Sequence, residues 1–209
     1  MISLGRQRSN RRYFWNLEVL NDDQIIDYFH LPGGLCVMLC KFTVDEDGTG
    51  CMCTSYEVYC QQPKNDRPYQ RNAAAFCATR SVQHYGPTGR LAVLRTSSID
   101  QRVREFIMES NLDERGCITR FGFWIGLSDQ AEEGEYTWSD GEGFCGTDYR
   151  NWAAGEPNNN DRRSKTTGQD CVQLWFRFGH NGLWDDEYCD FRQKGFICQI
   201  PDPKCHSKV

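Results

Sequence analysis

The chain has no apolar run long enough to cross a bilayer, no basic excess, no coiled-coil heptads and no repeated pair of CxxC knuckles. Without about 20 consecutive apolar residues, no membrane-spanning helix is expected. With 24 Lys and Arg against 29 Asp and Glu, a formal net charge of −5, there is no basic face to hold nucleic acid. The missing knuckle spacing removes the usual zinc framework. The four histidines are scattered, and no Ser/His/Asp, Cys/His or HExxH arrangement is present, so no catalytic centre is expected. Without heptads, any oligomer or clustering must be built by other means. Met1 to Arg12 is basic, but no apolar stretch follows it, so it does not read as a signal peptide.

What is present in quantity is cysteine, 12 in 209 residues. With zinc set aside, so many thiols read as disulfides formed in an oxidising, extracellular compartment. A secreted protein should carry a signal peptide. The expectation is therefore that the chain lacks its true start or belongs to a larger parent chain. The length suits one sizeable domain plus a small one. The division expected is an N-terminal arm and cysteine-rich segment at 1–54, a main domain at 55–201 and a tail at 202–209. Cys36, Cys40, Cys51, Cys53 and Cys60 lie among turns at Pro32-Gly33-Gly34 and Gly48-Thr49-Gly50. This patch faintly resembles half of an apple (PAN) module; the plainer reading is a stapled hairpin leading into the next domain.

From residue 55 the pattern becomes regular. Ala74, Cys77 and Ala78 recur at helical spacing in Arg71–Gln83, with Asn72 or a neighbour as cap and Gly86-Pro87-Thr88-Gly89 as the stop. Ile99, Val103, Phe106 and Ile107 mark a second helix, capped from Thr96-Ser97-Ser98. Short apolar strands are expected at Leu91–Leu94, Phe123–Leu127, Tyr136–Trp138, Cys171–Trp175, Gly182–Trp184 and Gly195–Cys198. Helices early and short strands late predict an α+β domain with a mostly antiparallel sheet. Trp124, Trp138 and Trp184 are read as core.

Trp152 to Asp186 is the stretch that carries chemistry. Glu156, Asn158, Gln169, Asp170, Asp185 and Asp186 crowd it with side-chain oxygens, the donor set of a hard cation such as Ca²⁺. Asn158 to Gly168 is too polar for a core and should be a surface loop. Cys171 and Cys189 bracket Trp184-Asp185-Asp186 and could pin the loop's return.

Trp124-Ile-Gly-Leu127, Glu156-Pro157-Asn158, Trp184-Asp185-Asp186 and the cysteines Cys77, Cys171, Cys189 and Cys198, in this order, resemble a C-type lectin domain over about 55–201. The resemblance implies that fold, with two helices, small antiparallel sheets and a long calcium-binding loop. It implies disulfides Cys77–Cys198 and Cys171–Cys189. Cys117 and Cys145 offer a plausible extra bridge, and Cys205 a partner for an N-terminal cysteine.

The resemblance also implies a principal calcium held by Glu156, Asn158, Gln169, Asp185 and Asp186, with a cis Glu156–Pro157 bond. Two vicinal sugar hydroxyls would complete the ion and hydrogen-bond to Glu156, Asn158, Gln169 and Asp185. Asp129, Glu133 and Asp170 match acids that hold an accessory calcium in the family. Asn159 stands where a fourth acid is expected. The EPN motif implies mannose-type sugars. Two departures complicate this: Gln169 stands where the family usually has Glu, and Asp185 where it usually has Asn. The second acid–amide pair is thus exchanged, which makes galactose a live alternative. The expected function is a calcium-dependent lectin with glycan or glycoprotein partners. The alternative is a lectin-like module that binds protein. An enzyme working through paired carboxylates is not expected, because Asp185 and Asp186 are adjacent on a strand and would face opposite sides unless both wrapped an ion.

Overall fold

The computed structural model describes residues 25–31, 35–45, 53–60, 69–80, 88–110, 112, 121–160, 162, 168–191 and 194–202. Nine strands and two α-helices are laid out among them. The strands are β1 (Ile25–Leu31), β2 (Leu35–Asp45), β3 (Cys53–Tyr59), β4 (Arg90–Leu91), β5 (Phe123–Ser128), β6 (Thr137–Trp138), β7 (Cys171–Trp175), β8 (Leu183–Glu187) and β9 (Gly195–Asp202). The helices are α1 (Gln70–Ala78) and α2 (Ser97–Glu109). Strand order is β1-β2-β3-β9-β5-β7-β8, with β4 on β9 and β6 on β5. Every pairing is antiparallel except β5 with β9, so the fold is α+β. The hairpin β1–β2 continues through β3 into the main sheet. Its cysteine side chains, with Cys51, Cys117 and Cys205, lie outside what is described. The expected tail at 202–209 is described only at its first residue.

Helix α1 buries Gln70, Ala73 and Cys77, a stripe at i, i+3 and i+7. Asn72 is inside the helix and does not cap it. The residue before the helix is Tyr69, and no side chain caps the start. Instead the Gln70 N–H donates to the Cys189 carbonyl at 3.0 Å, so a tertiary contact satisfies the free helix end. Helix α2 does have its local cap: the Thr96 hydroxyl accepts from the Ile99 N–H at 3.2 Å.

The expected strand Leu91–Leu94 pairs only through Arg90–Leu91. Beyond that the chain bridges two strands: Ala92 donates to Ile197 on β9 and accepts from Gly126 on β5. A peptide shared in this way cannot continue one ladder. Gly126 is required here, since a Cβ on it would lie 2.7 Å from the Leu91 carbonyl oxygen.

Trp124, Trp138 and Trp184 are fully buried. Burial of each ring contributes about 4–6 kcal/mol gross. Trp138 and Trp184 meet edge to face at 5.7 Å, and the Trp184 indole donates to Asp100 Oδ1 at 2.7 Å. Disulfides Cys77–Cys198 and Cys171–Cys189 tie α1 to β9 and the start of β7 to the residue that meets α1. Cys60 is also disulfide-bonded. Cys145 is exposed and free, which corrects the idea of a bridge to Cys117: its turn is closed by its own N–H donating to Asp148 Oδ2. Among the described residues no helix is long and apolar enough to cross a membrane.

Candidate functional site

Strands β7 and β8 set out the floor of the site. Their register places Gln173 opposite Asp185, Val172 opposite Asp186 and Cys171 opposite Glu187. Residues 158–160 are hydrogen-bonded to side chains at this ladder and beside it. The Glu156–Pro157 peptide is cis. Buried Asp186 holds the turn that follows, accepting from the Asn158 N–H at 3.0 Å and the Asn159 N–H at 2.6 Å. The Asn158 amide donates to Glu156 Oε2 at 2.5 Å. One carboxylate oxygen from each of Glu156, Asp185 and Asp186 lies within 4.8 Å of the others. Asp185 and Asp186, though adjacent on a strand, therefore reach one point.

Among the described residues no Lys or Arg is ion-paired with these three acids. Their electrostatics show the consequence. Burial, then the hydrogen bond with Asp186 and the charges of Asp185 and Asp186, pushes Glu156 up to about 8. Burial pushes Asp185 up to about 6, against the hydrogen bond from Gln173. Desolvated carboxylates drawn together in this way are the donor chemistry of a calcium site.

Gln169 is buried beside this group, with one hydrogen bond at each end of its amide. Its Oε1 accepts from the Asn160 N–H at 2.9 Å, and its Nε2 donates to Glu187 Oε1 at 3.3 Å. Beyond it stand Asp129, Glu133 and Asp170, which do not converge as the first three acids do. The Asn159 amide bonds Glu133, and Asp129 Oδ2 accepts from the Gly134 N–H at 3.0 Å. Asp129 Oδ1 and Asp170 Oδ1 are buried without a partner, and burial raises the pKa of both groups. Two orphaned carboxylate oxygens suit a second cation better than an empty interior.

Sequence reasoning missed the layer beneath. Lys194 is 2 % exposed. Its ammonium donates to Phe121 O at 3.1 Å, Gln173 Oε1 at 2.7 Å and Glu187 Oε2 at 3.2 Å. Gln173 in turn donates to Asp185 Oδ2 at 2.5 Å. Nothing in the local pattern marks a lysine before Gly195-Phe196 as buried. Only the β7–β8 register and the packing of Lys194 against the Trp124 and Phe191 rings place it there. Also unforeseen is a cavity of about 750 Å³ walled by Tyr136, Phe144, Arg150 and Trp152, which opens beside Glu156 and Pro157.

The family model for the Lectin C-type domain matches residues 67–200. A hepatic lectin of Gallus gallus is 35% identical over 105 residues, covering 48% of this chain and 40% of its own length. The low affinity immunoglobulin epsilon Fc receptor of Homo sapiens is 38% identical over 123 residues, covering 57% of this chain and 35% of its own. The chain thus spans well under half the length of either relative. Among solved structures, the C-type lectin CEL-I from Cucumaria echinata superposes with a TM-score of 0.51 at 24% identity, covering 70% of this chain and 89% of that one, a likeness of fold. With the family model matching well over half of its residues, the chain belongs to the C-type lectin domain family, a family of lectins rather than enzymes.

Proposed function

We propose that this domain is a calcium-dependent lectin that binds vicinal sugar hydroxyls at the Glu156–Asp186 cluster. The observation that carries the reading is the convergence of Glu156, Asp185 and Asp186 within 4.8 Å, with no cationic side chain paired to them among the described residues. Repulsion and desolvation oppose that arrangement, and a divalent cation would offset both. Glu156, Asn158, Gln169, Asp185 and Asp186 would hold the ion, which would supply open coordination positions for two sugar hydroxyls. Glu156, Asn158, Gln169 and Asp185 would orient the sugar by hydrogen bonds. Asp129, Glu133 and Asp170 would hold an accessory ion, a reading supported by their orphaned oxygens.

For the sugar, the Glu156–Asn158 pair favours mannose-type ligands, and the exchanged pair Gln169–Asp185 keeps galactose as the alternative. The disulfides support an extracellular setting. Glycan or glycoprotein partners, and a division into an arm at 1–54, a lectin domain at 55–201 and a tail at 202–209, belong to the same proposal. Strong binding would come from an oligomer or a larger parent chain. The test is capture on immobilised glycans with calcium and again with chelator, competed by free mannose and free galactose. Capture lost in chelator and competed by one sugar supports the reading. Sugar capture that persists in chelator overturns calcium dependence. No sugar capture in either condition favours the protein-binding module.

A further inference from the structure

We infer that buried Lys194 is the positioning residue that dictates the acid–amide order of the proposed site, requiring Asp at 185 and an amide at 169. The inference rests on the calcium-site reading above and explains the two departures on which the sugar preference turns.

The argument is one of donors and acceptors. Lys194 faces three oxygens: Phe121 O, Gln173 Oε1 and Glu187 Oε2. An ammonium has three N–H groups to give them, and it accepts nothing. Gln173 must therefore turn its oxygen to Lys194 and its NH₂ to residue 185. That NH₂ needs an acceptor, which is Asp185 Oδ2 at 2.5 Å. A carboxylate meets this demand and still has a second oxygen for an ion. An asparagine would not. Its single oxygen would be drawn to Gln173, leaving an NH₂ group, which cannot ligate calcium, to face the cluster.

The other branch works in the same way. Glu187 gives Oε2 to Lys194, and its Oε1 accepts from the Tyr188 N–H at 2.9 Å. A side chain meeting that Oε1 must donate, and Gln169 Nε2 does so at 3.3 Å, while its oxygen turns to the Asn160 N–H side. A glutamate at 169 would set carboxylate against carboxylate. Lys194, packed over the Trp124 and Phe191 rings at 5.2 and 4.6 Å, thus fixes both branches from beneath.

The relay can be inverted without changing the buried charge. With Gln173→Glu and Asp185→Asn together, residue 173 accepts from both Lys194 and residue 185, and the residue-185 oxygen is released toward the site. The experiment compares full-length wild type, Asp185→Asn, Gln173→Glu and the double variant. It measures calcium affinity by titration calorimetry and thermal midpoints in chelator. The single Asp185→Asn change should weaken calcium binding by ~10-fold or more, and the double variant should recover most of the loss. In chelator, Gln173→Glu alone should lower the midpoint by several degrees, because it faces Asp185 with a second carboxylate. The double variant should regain it. A double variant that binds calcium no better than Asp185→Asn overturns the inference. So does a pair of metal-free midpoint changes that simply add. Wild type that binds no calcium overturns the calcium reading instead, and the metal-free coupling then still decides whether the relay exists.

Discussion

Glu156 sits where burial and two neighbouring carboxylates all oppose its ionisation. Its pKa is raised from an ordinary 4.5 to about 8, and that of Asp185 from 3.8 to about 6. In the ion-free fold these groups hold protons that the unfolded chain has already released. Their contribution to stability is therefore fully present below about pH 4, declines as pH rises, and is lost above about 8. A cation would take the place of those protons, so proton and calcium compete for the same oxygens. The expected outcome is a calcium-induced rise in thermal midpoint that is small near pH 5 and largest near pH 8. The readout is the difference between calcium-loaded and chelated melts at each pH, in which other titrations largely cancel. The transition thus falls in the pH 5–8 range, well above the value near 4 that an isolated carboxylate would give. The sequence names the acids, but only their packing moves their titration.

At the scale of elements, α2 and the site are joined through one side chain. Asp100, fully buried in the first turn of α2, accepts from the Trp184 indole on β8 and from Arg104, Tyr149 and Asn151. It anchors the segment that leads into Glu156. Asp100→Ala would leave the Trp184 N–H unpartnered and release that segment, at a cost of about 3 kcal/mol. Urea denaturation of the variant measures it, and a cost below ~1 kcal/mol would show that the hub is dispensable. Among the described residues of the loop, polar ties hold it: Asp186 accepts from the Asn158 and Asn159 amides, Gln169 Oε1 from the Asn160 amide, and the Tyr188 hydroxyl donates to the Asn160 carbonyl. Chelation of calcium-loaded protein is expected to speed amide exchange at 158–160 and at 169–170 while leaving β5 and β9 protected, and to lower the thermal midpoint. Unchanged exchange in the loop would count against a bound ion.

For the whole molecule, the proposed sugar site lies at the outer end of the sheet order, on β7 and β8, while Cys77–Cys198 closes the domain across a separation of 121 residues. A lone ion with a few hydrogen bonds offers about 4 kcal/mol to a monosaccharide, near millimolar. Free mannose or galactose should therefore compete only at millimolar concentration, and clustering would be needed for strong capture. Micromolar competition by a single hexose, measured by calorimetry on a demonstrated monomer, would show that the neighbouring 750 Å³ cavity joins the site.

Much of this was legible in residue order alone. Strict local signals did the work: the helical spacing of Ile99, Val103 and Phe106, the strand Cys171–Trp175, and the EPN and WIGL elements with their cysteines. These patterns are written by short-range periodicity and by the order of a few distinctive residues along the chain. Other features depended on partners far along the chain. Asn72 looked like a cap, but the Cys189 carbonyl takes that role for α1. Leu91–Leu94 looked like a strand, but its peptides are divided between β9 and β5. Cys145 looked pairable and is free. The sequence by itself determined which atoms could meet a cation. Which of those oxygens would face it is, in the proposed relay, decided by tertiary structure, because a buried lysine with three donors and no acceptor propagates its polarity through Gln173 and Glu187. That polarity acts only once β7, β8 and Lys194 are packed together.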